Sequence, residues 1–183
     1  MLTFVCGGVR SGKSSFAEQL IEEHSDQSQC HYIATSTITD SEMQNRIVRH
    51  KNDRVQSQIN WQTWEQPKQL DLLTRHFSKD DVLLIDCLTV WLSNELFTSN
   101  IWKCEEKVAT TVNKMLDVLK TLSERCKHVI IVSNDIFHSG FPDDFGSKVY
   151  VRSLGHLHQA IVRMSNLSYE VEFGSARLMK DAH

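Results

Sequence analysis

The sequence predicts a single α/β domain in which helices flank a mostly parallel β-sheet. Short apolar runs of strand length alternate along the chain with longer segments of helical periodicity, the order that produces such a sheet. Residues 82–86 form an unbroken apolar run closed by an acid, which is typical of a central strand buried on both faces. No linker or repeat interrupts the pattern, so residues 1–183 are predicted to form one domain.

The predicted strands are apolar or aromatic runs bounded by turn residues. They cover residues 2–6, 30–35, 61–65, 82–86 and 129–134. Residues 169–173 and 177–180, joined through Gly174, are predicted to form a C-terminal hairpin.

The predicted helices show apolar residues at core-facing spacing. They cover residues 13–24, 89–98, 103–126 and 148–166. Asp40 is expected to cap a further helix that runs toward Arg54, and Pro67 is expected to open another. Residues 136–146, rich in Gly, Pro and Asp, are predicted to form a loop.

A glycine-rich turn follows the first strand and precedes the first helix. Residues 7–14 fit the phosphate-binding pattern G-x-x-x-x-G-K-S. Its glycines permit close backbone approach, its consecutive N–H groups face phosphate oxygens, and Lys13 reaches the β- and γ-phosphates. The sequence therefore predicts a P-loop NTPase-like (RecA-like) domain whose ligand lies at the carboxyl ends of the strands.

Asp86 ends the apolar run at residues 82–86, and we expect it to lie near the phosphate loop. There its carboxylate can hold Mg²⁺ together with the hydroxyl of Ser14. The alternative is an acid that only caps the following helix. We interpret the adjacent Cys87 as a buried thiol, because nothing beside it would lower its pKa.

A basic cluster surrounds His50. On a helix, Arg46, His50 and Arg54 fall at i, i+4 and i+8, so they share one face that attracts anions. His50 could contact phosphate or attack phosphorus as a nucleophile, since its imidazole is substantially unprotonated near neutral pH. Taken alone, such spacing is more often that of a solvated basic face.

Composition narrows the classes of partner and compartment. The net charge is −3 and basic residues are not blocked together, so no nucleic-acid partner is predicted. No apolar run is long enough to cross a membrane, and because the chain goes directly into the first predicted strand we expect no secretory signal. The five cysteines form no C-x-x-C pair, so we predict reduced thiols, a cytoplasmic location and no structural zinc.

Several motifs together resemble a known enzyme family. They are the phosphate loop with Arg10, Tyr-Ile-Ala-Thr-Ser at 32–36, Glu-Met leading to Arg-Ile-x-x-His at 42–50, Trp-x-Thr-x-Glu at 61–65, and Asp-Cys-Leu-Thr-x-Trp-Leu-x-Asn at 86–94. The family is the bifunctional adenosylcobinamide kinase/adenosylcobinamide-phosphate guanylyltransferase of cobalamin biosynthesis. The resemblance covers residues 2–98 well and residues 128–180 less clearly.

The resemblance implies two reactions. A nucleoside triphosphate, ATP or GTP, phosphorylates the aminopropanol hydroxyl of adenosylcobinamide. A histidine, which the motif match assigns to His50, then attacks the α-phosphorus of GTP, pyrophosphate leaves, and GMP passes to adenosylcobinamide phosphate to give adenosylcobinamide-GDP. Mg²⁺ and Lys13 would stabilise charge on the phosphates.

The same match implies a nucleotide-contacting set and a homo-oligomer, trimeric or of another stoichiometry. The set comprises Gly7, Gly8, Val9, Arg10, Ser11, Gly12, Lys13, Ser14, Ala34, Thr35, Ser36, Lys51, Asn52, Asp53, Arg54, Glu65 and Asp86.

Three departures from the family pattern lie in the second half. The family's Ser-Asn-Glu-Val-Gly is replaced by Ser-Asn-Asp-Ile-Phe at 133–137, its Arg-Asp by Val-Arg at 151–152, and its Asn-Gln by His-Gln at 158–159, while Gly155 is kept. We expect them to affect corrinoid handling and subunit contacts without touching the nucleotide half. One hypothesis is a weakened activity, the kinase step first.

Two rival interpretations remain at this stage. The chain could be a P-loop kinase of another small metabolite, with His50 only binding phosphate. It could also be a non-catalytic protein that senses nucleotides.

Overall fold

The computed structural model describes residues 1–25, 28–36, 59–138, 140 and 142–182. The helix predicted between Asp40 and Arg54, with His50 on it, lies outside the described residues. So does the part of the predicted loop at positions 139 and 141.

The described strands form one seven-stranded sheet. They are β1 (Leu2–Gly7), β2 (Cys30–Ala34), β3 (Trp61–Glu65), β4 (Val82–Asp86), β5 (His128–Asn134), β6 (Leu167–Glu172) and β7 (Ser175–Asp181). Their order is β3-β2-β4-β5-β1-β6-β7, and every neighbouring pair is parallel except β6 and β7. The predicted strands and the central position of β4 are confirmed.

The described helices are α1 (Lys13–His24), α2 (Leu88–Phe97), α3 (Glu105–Arg125) and α4 (Phe145–Met164), with 3₁₀ helices at Leu70–His76 and Ile101–Lys103. The start predicted for α4 is three residues too late. Asp144 caps the helix by accepting a 2.8 Å hydrogen bond from the N–H of Ser147.

The prediction that Pro67 opens a helix is wrong. The Pro67 carbonyl accepts a 3.1 Å hydrogen bond from the amide of Asn94. Gln69 has a left-handed φ of 54°, and its N–H donates to the carboxylate of Glu95 at 2.7 Å. Because both backbone groups are engaged outside a helix, the helical turn begins only at Leu70, and it is a 3₁₀ turn.

Two cores cover the two faces of the sheet. Helices α2, α3 and α4 pack on one face, against Leu83 and Ile85 of β4, and α1 packs on the other, against Leu84. Alternate residues of β4 therefore enter different cores, which explains why the strand is an unbroken apolar run. The strand order places the carboxyl ends of β2, β4, β5 and β1 side by side at one edge of the sheet.

The predicted C-terminal hairpin is confirmed and is also part of the main sheet. Strand β6 pairs in parallel with β1, with Gly7 opposite Val171. The hairpin turn consequently lies at the same end of the sheet as the glycine-rich turn that follows β1. Among the described helices, none combines the length and the apolar character that crossing a membrane requires.

Candidate active site

The turn between β1 and α1 has the geometry of an anion cradle. Arg10 and Gly12 take left-handed φ values of 62° and 94°, and the N–H of Ser11 closes a turn onto the carbonyl of Gly8 at 3.2 Å. Lys13 is buried and its ammonium donates to the same Gly8 carbonyl at 2.9 Å. Because α1 begins at Lys13, its positive N-terminal end faces the turn.

The glycines at 7 and 12 also accommodate the C-terminal hairpin. A Cβ on Gly7 would lie 2.3 Å from the carbonyl oxygen of Val171, and one on Gly12 would lie 3.1 Å from the Cα of Gly174. Among the described residues, a Cβ on Gly8 would meet nothing within 4 Å. Sequence reasoning assigned these glycines to ligand approach; the structure adds a packing reason for two of them.

The acid predicted to hold a metal lies beside the loop. The Oδ2 atom of Asp86 accepts hydrogen bonds from the hydroxyl of Ser14 at 3.4 Å and from the phenol of Tyr32 at 3.1 Å. Carboxylate and hydroxyl oxygens are ligands that suit Mg²⁺, which usually takes one or two from the protein and the rest from phosphates and water. The donor set therefore fits the predicted ion, and Tyr32 is an addition, because it belongs to the motif at 32–36 but was not among the predicted site residues.

Thr35 joins the ends of β2 and β4. Its N–H donates to the Asp86 carbonyl at 3.0 Å. Its hydroxyl donates to the Cys87 carbonyl and accepts from the Cys87 N–H, each at 2.8 Å, and the side chain is fully buried. Thr35 thus holds Asp86 in place, while Ala34 and Ser36 on either side are half-buried.

A partly buried chain of polar groups continues from this junction toward α4. The amide of Asn134 donates to the hydroxyl of Thr89 at 3.0 Å, and the phenol of Tyr150 donates to the Thr89 carbonyl at 3.0 Å. Burial, and then the nearby Asp86, raise the pKa of the Cys87 thiol, so the buried and unreactive thiol predicted there is supported. Sequence reasoning missed Tyr150, because only the tertiary contact reveals it.

The remaining predicted contacts are only partly described. Glu65 is exposed at the end of β3, where it pairs with Ala34 of β2. His50 and the predicted contacts Lys51, Asn52, Asp53 and Arg54 lie outside the described residues.

The departures from the family pattern reach the nucleotide half, contrary to our expectation. The N–H of Asp135 donates to the carbonyl of Gly7 at 2.9 Å. His158 packs edge-on against Phe4 of β1 at 5.0 Å between ring centroids, and its Nε2 lies 2.7 Å from the hydroxyl of Ser133. The expectation is wrong because β5 and α4 lie directly against β1, a contact that linear separation conceals.

The fold and this loop define the class: a P-loop nucleotide-binding protein. The profile of the cobinamide kinase / cobinamide phosphate guanyltransferase family (CobU) matches residues 3–178. The chain therefore belongs to that family.

The relatives agree with this assignment. The chain is 36% identical over 163 residues to the bifunctional adenosylcobalamin biosynthesis protein CobP of Pseudomonas aeruginosa, covering 88% of this chain and 87% of that one. It is 32% identical over 168 residues to the corresponding CobU protein of Salmonella typhimurium, covering 88% and 90%.

The solved structure of the flagellar accessory protein FlaH from Methanocaldococcus jannaschii matches with a TM-score of 0.48 and 12% identity, covering 98% and 78%.

Proposed function

We propose that this chain catalyses both reactions of its family in cobalamin biosynthesis. It phosphorylates adenosylcobinamide with a nucleoside triphosphate, and it transfers GMP from GTP to adenosylcobinamide phosphate to give adenosylcobinamide-GDP. The observation that carries the proposal is the convergence of Lys13, Ser14 and Asp86 at one strand end, in a chain that matches the family over residues 3–178.

The phosphate loop is the shared electrostatic device of the two reactions. The backbone N–H groups of residues 7–14 and the α1 N-terminus bind the triphosphate chain. Lys13, which donates to Gly8 in the described structure, exchanges that carbonyl for phosphate oxygens when nucleotide binds. Fixed positive groups in this place stabilise the charge that develops on the transferred and departing phosphates.

Ser14 and Asp86 are the residues that would hold Mg²⁺, and the ion would supply further neutralisation of phosphate charge. Tyr32 and Thr35 keep Asp86 in place through the contacts described above. We assign them a positioning role.

His50 is the proposed nucleophile of the transfer reaction. The unprotonated imidazole attacks the α-phosphorus of GTP, a P–N bond forms, and the bond to the bridging oxygen breaks as pyrophosphate leaves. A phosphate oxygen of adenosylcobinamide phosphate then attacks the same phosphorus, and the P–N bond breaks to regenerate histidine. Support for this assignment comes from the family motif that ends at His50.

We propose the remaining features from the same family membership. Residues 34–36, 51–54 and Glu65 complete the nucleotide-contacting set, and the protein is a homo-oligomer, of which a trimer is one form. Because free nucleoside triphosphates are intracellular metabolites, we propose that the enzyme acts in the cytoplasm.

The test is an assay of both products with the purified full chain, adenosylcobinamide, ATP or GTP, and Mg²⁺. We expect adenosylcobinamide phosphate and then adenosylcobinamide-GDP. Asp86→Asn should slow both steps by about 100-fold, whereas His50→Ala should abolish only the transfer. A kinase of another metabolite would leave adenosylcobinamide unphosphorylated, and a nucleotide sensor would bind GTP without releasing pyrophosphate.

A further inference from the structure

The turn of the C-terminal hairpin contains an unexpected residue. Glu172 pairs with Ser175, so Phe173 and Gly174 form a two-residue connection. Both have left-handed φ values, 50° and 77°. Such turns favour Asn-Gly or Asp-Gly, because a bulky side chain is strained at positive φ. Phenylalanine is therefore a poor choice for this backbone.

Packing within the described part of the chain does not account for the residue either. The side chain of Phe173 is 99% exposed, whereas the exposed Phe137 and Phe145 are at 41% and 64%. An aromatic ring that stays in water does not gain the stabilising free energy that burial of its apolar surface provides. A strained backbone that presents an exposed ring at a fixed place is an observation from which function can be inferred.

The turn is fixed directly on the phosphate loop. The N–H of Gly174 donates to the carbonyl of Ser11 at 2.8 Å, and a Cβ on Gly12 would lie 3.1 Å from the Gly174 Cα. Lower on the hairpin, Tyr169 packs edge-on against Phe16 of α1 at 5.0 Å. Strand, helix and loop therefore hold the Phe173 backbone beside the residues proposed to bind phosphates.

We infer that Phe173 is a stacking platform for the base of the nucleotide whose phosphates lie in the loop of residues 7–14. The inference rests on the proposed nucleotide binding. An aromatic side chain stacks on any base, because every base presents a π-face, so the platform serves ATP and GTP alike. It adds affinity for the nucleoside portion, and it leaves the choice between guanine and adenine to other residues.

The test separates base from phosphate. Binding of GTP, ATP and inorganic tripolyphosphate to the full chain is measured by titration calorimetry with Mg²⁺. Phe173→Asn should weaken both nucleotides roughly tenfold and leave tripolyphosphate unchanged, since only a nucleotide can stack. Phe173→Trp should retain nucleotide affinity. Met179→Asn, which removes another exposed apolar side chain from the same hairpin, is the matched control and should change none of the three affinities.

Loss of fold does not confuse the result. Asparagine suits the turn better than phenylalanine, so the thermal midpoint of Phe173→Asn should equal or exceed that of the parent. Unchanged nucleotide affinity in Phe173→Asn overturns the inference. So does a changed sedimentation mass with unchanged affinity, which would assign the ring to a subunit contact. Failure of the parent chain to bind any nucleotide would instead overturn the proposed function.

Discussion

The phosphate loop at residues 7–14 keeps the family pattern, whereas the cluster of Phe137 and His158, which lies between β5 and α4, departs from it. At the loop, the motif residues are retained and their local geometry follows from glycine, lysine and the α1 N-terminus. Behind β5, the family pattern is broken at Phe137 and His158, and the two replacements contact each other at 5.4 Å between ring centroids. The retained Gly155 lies beside the Phe137 ring, with which a Cβ at that position would make an ordinary van der Waals contact at 3.5 Å.

The replacements at Phe137 and His158 therefore form one packed pair. His158 also joins that pair to β1 through Phe4, and Asp135 joins it to Gly7. The His158 side chain therefore contacts the strand that carries the phosphate loop. The contrast can be tested by removing single groups on each side and comparing what is lost.

The largest effect is expected at the loop. Lys13→Ala should lower kcat/KM of the kinase step by about 100- to 1,000-fold, because it removes a fixed positive charge from the phosphates. Lys114→Ala, at an exposed salt bridge with Asp71, is the control and should leave kcat/KM unchanged. Initial-rate kinetics with adenosylcobinamide measure both, and a mild effect of Lys13→Ala would remove the loop from the chemistry.

The next effect is on the free energy of unfolding and compares two glycines of the loop, one packed against the hairpin and one not. Gly7→Ala should lower the free energy of unfolding by about 3 kcal/mol, since its methyl group would overlap the Val171 carbonyl. The methyl group of Gly8→Ala would contact none of the described residues, so the free energy of unfolding should change by no more than about 0.5 kcal/mol. Urea unfolding gives both values. Equal stabilities would show that the hairpin does not constrain the loop.

A smaller effect concerns the cluster and depends on pH. Burial lowers the pKa of His158 to about 4, with Asp135 acting weakly in the opposite direction. In the unfolded chain the His158 imidazole takes up a proton as the pH falls below about 6.5, whereas in the folded chain it stays neutral until about pH 4. Stability from this residue is therefore complete above pH 6.5 and falls as the pH drops toward 4, by about 3 kcal/mol.

His158→Asn tests that assignment with the residue type that the family pattern carries. His128, whose pKa burial lowers to about 3, contributes a similar slope, so the variant must be compared with the parent at each pH. Urea unfolding between pH 4 and 8 should give a shallower loss for His158→Asn. Parallel curves for the two proteins would assign the pH dependence elsewhere.

The smallest effect measures the contact between Phe137 and His158. Phe137→Ala and His158→Asn should each destabilise the fold, and the double variant should lose about 1 kcal/mol less than the sum of the two, as for an aromatic pair. Equilibrium unfolding of all four proteins gives the coupling. Simple additivity would mean that the departures are independent.

Much of the fold could be predicted because its signals are local. Unbroken apolar runs of strand length predict β1, β4 and β5, and the loop motif predicts where a ligand binds. The start of the turn at Leu70 could not be predicted, because side chains of α2 engage the backbone around Pro67 and Gln69. The contact of the hairpin with the loop also depends on the β1–β6 pairing, which joins distant parts of the chain.

The site divides along the same line. Ser14 and Asp86 were predicted to lie together because Asp86 ends an apolar strand and Ser14 ends the loop motif, and they do. The full engagement of the Thr35 hydroxyl, the phenol of Tyr32 on Asp86 and the link from Tyr150 to Thr89 required the tertiary structure. The role of His50 stays a prediction.

The central claim is that the phosphate loop and His50 act on one nucleotide. Mass spectrometry of the intact protein after incubation with GTP and Mg²⁺, followed by peptide mapping, tests it most directly. We predict a covalent increase of one GMP, located on His50 and lost in both His50→Ala and Lys13→Ala. An adduct on another residue, or pyrophosphate release without any adduct, would contradict the account.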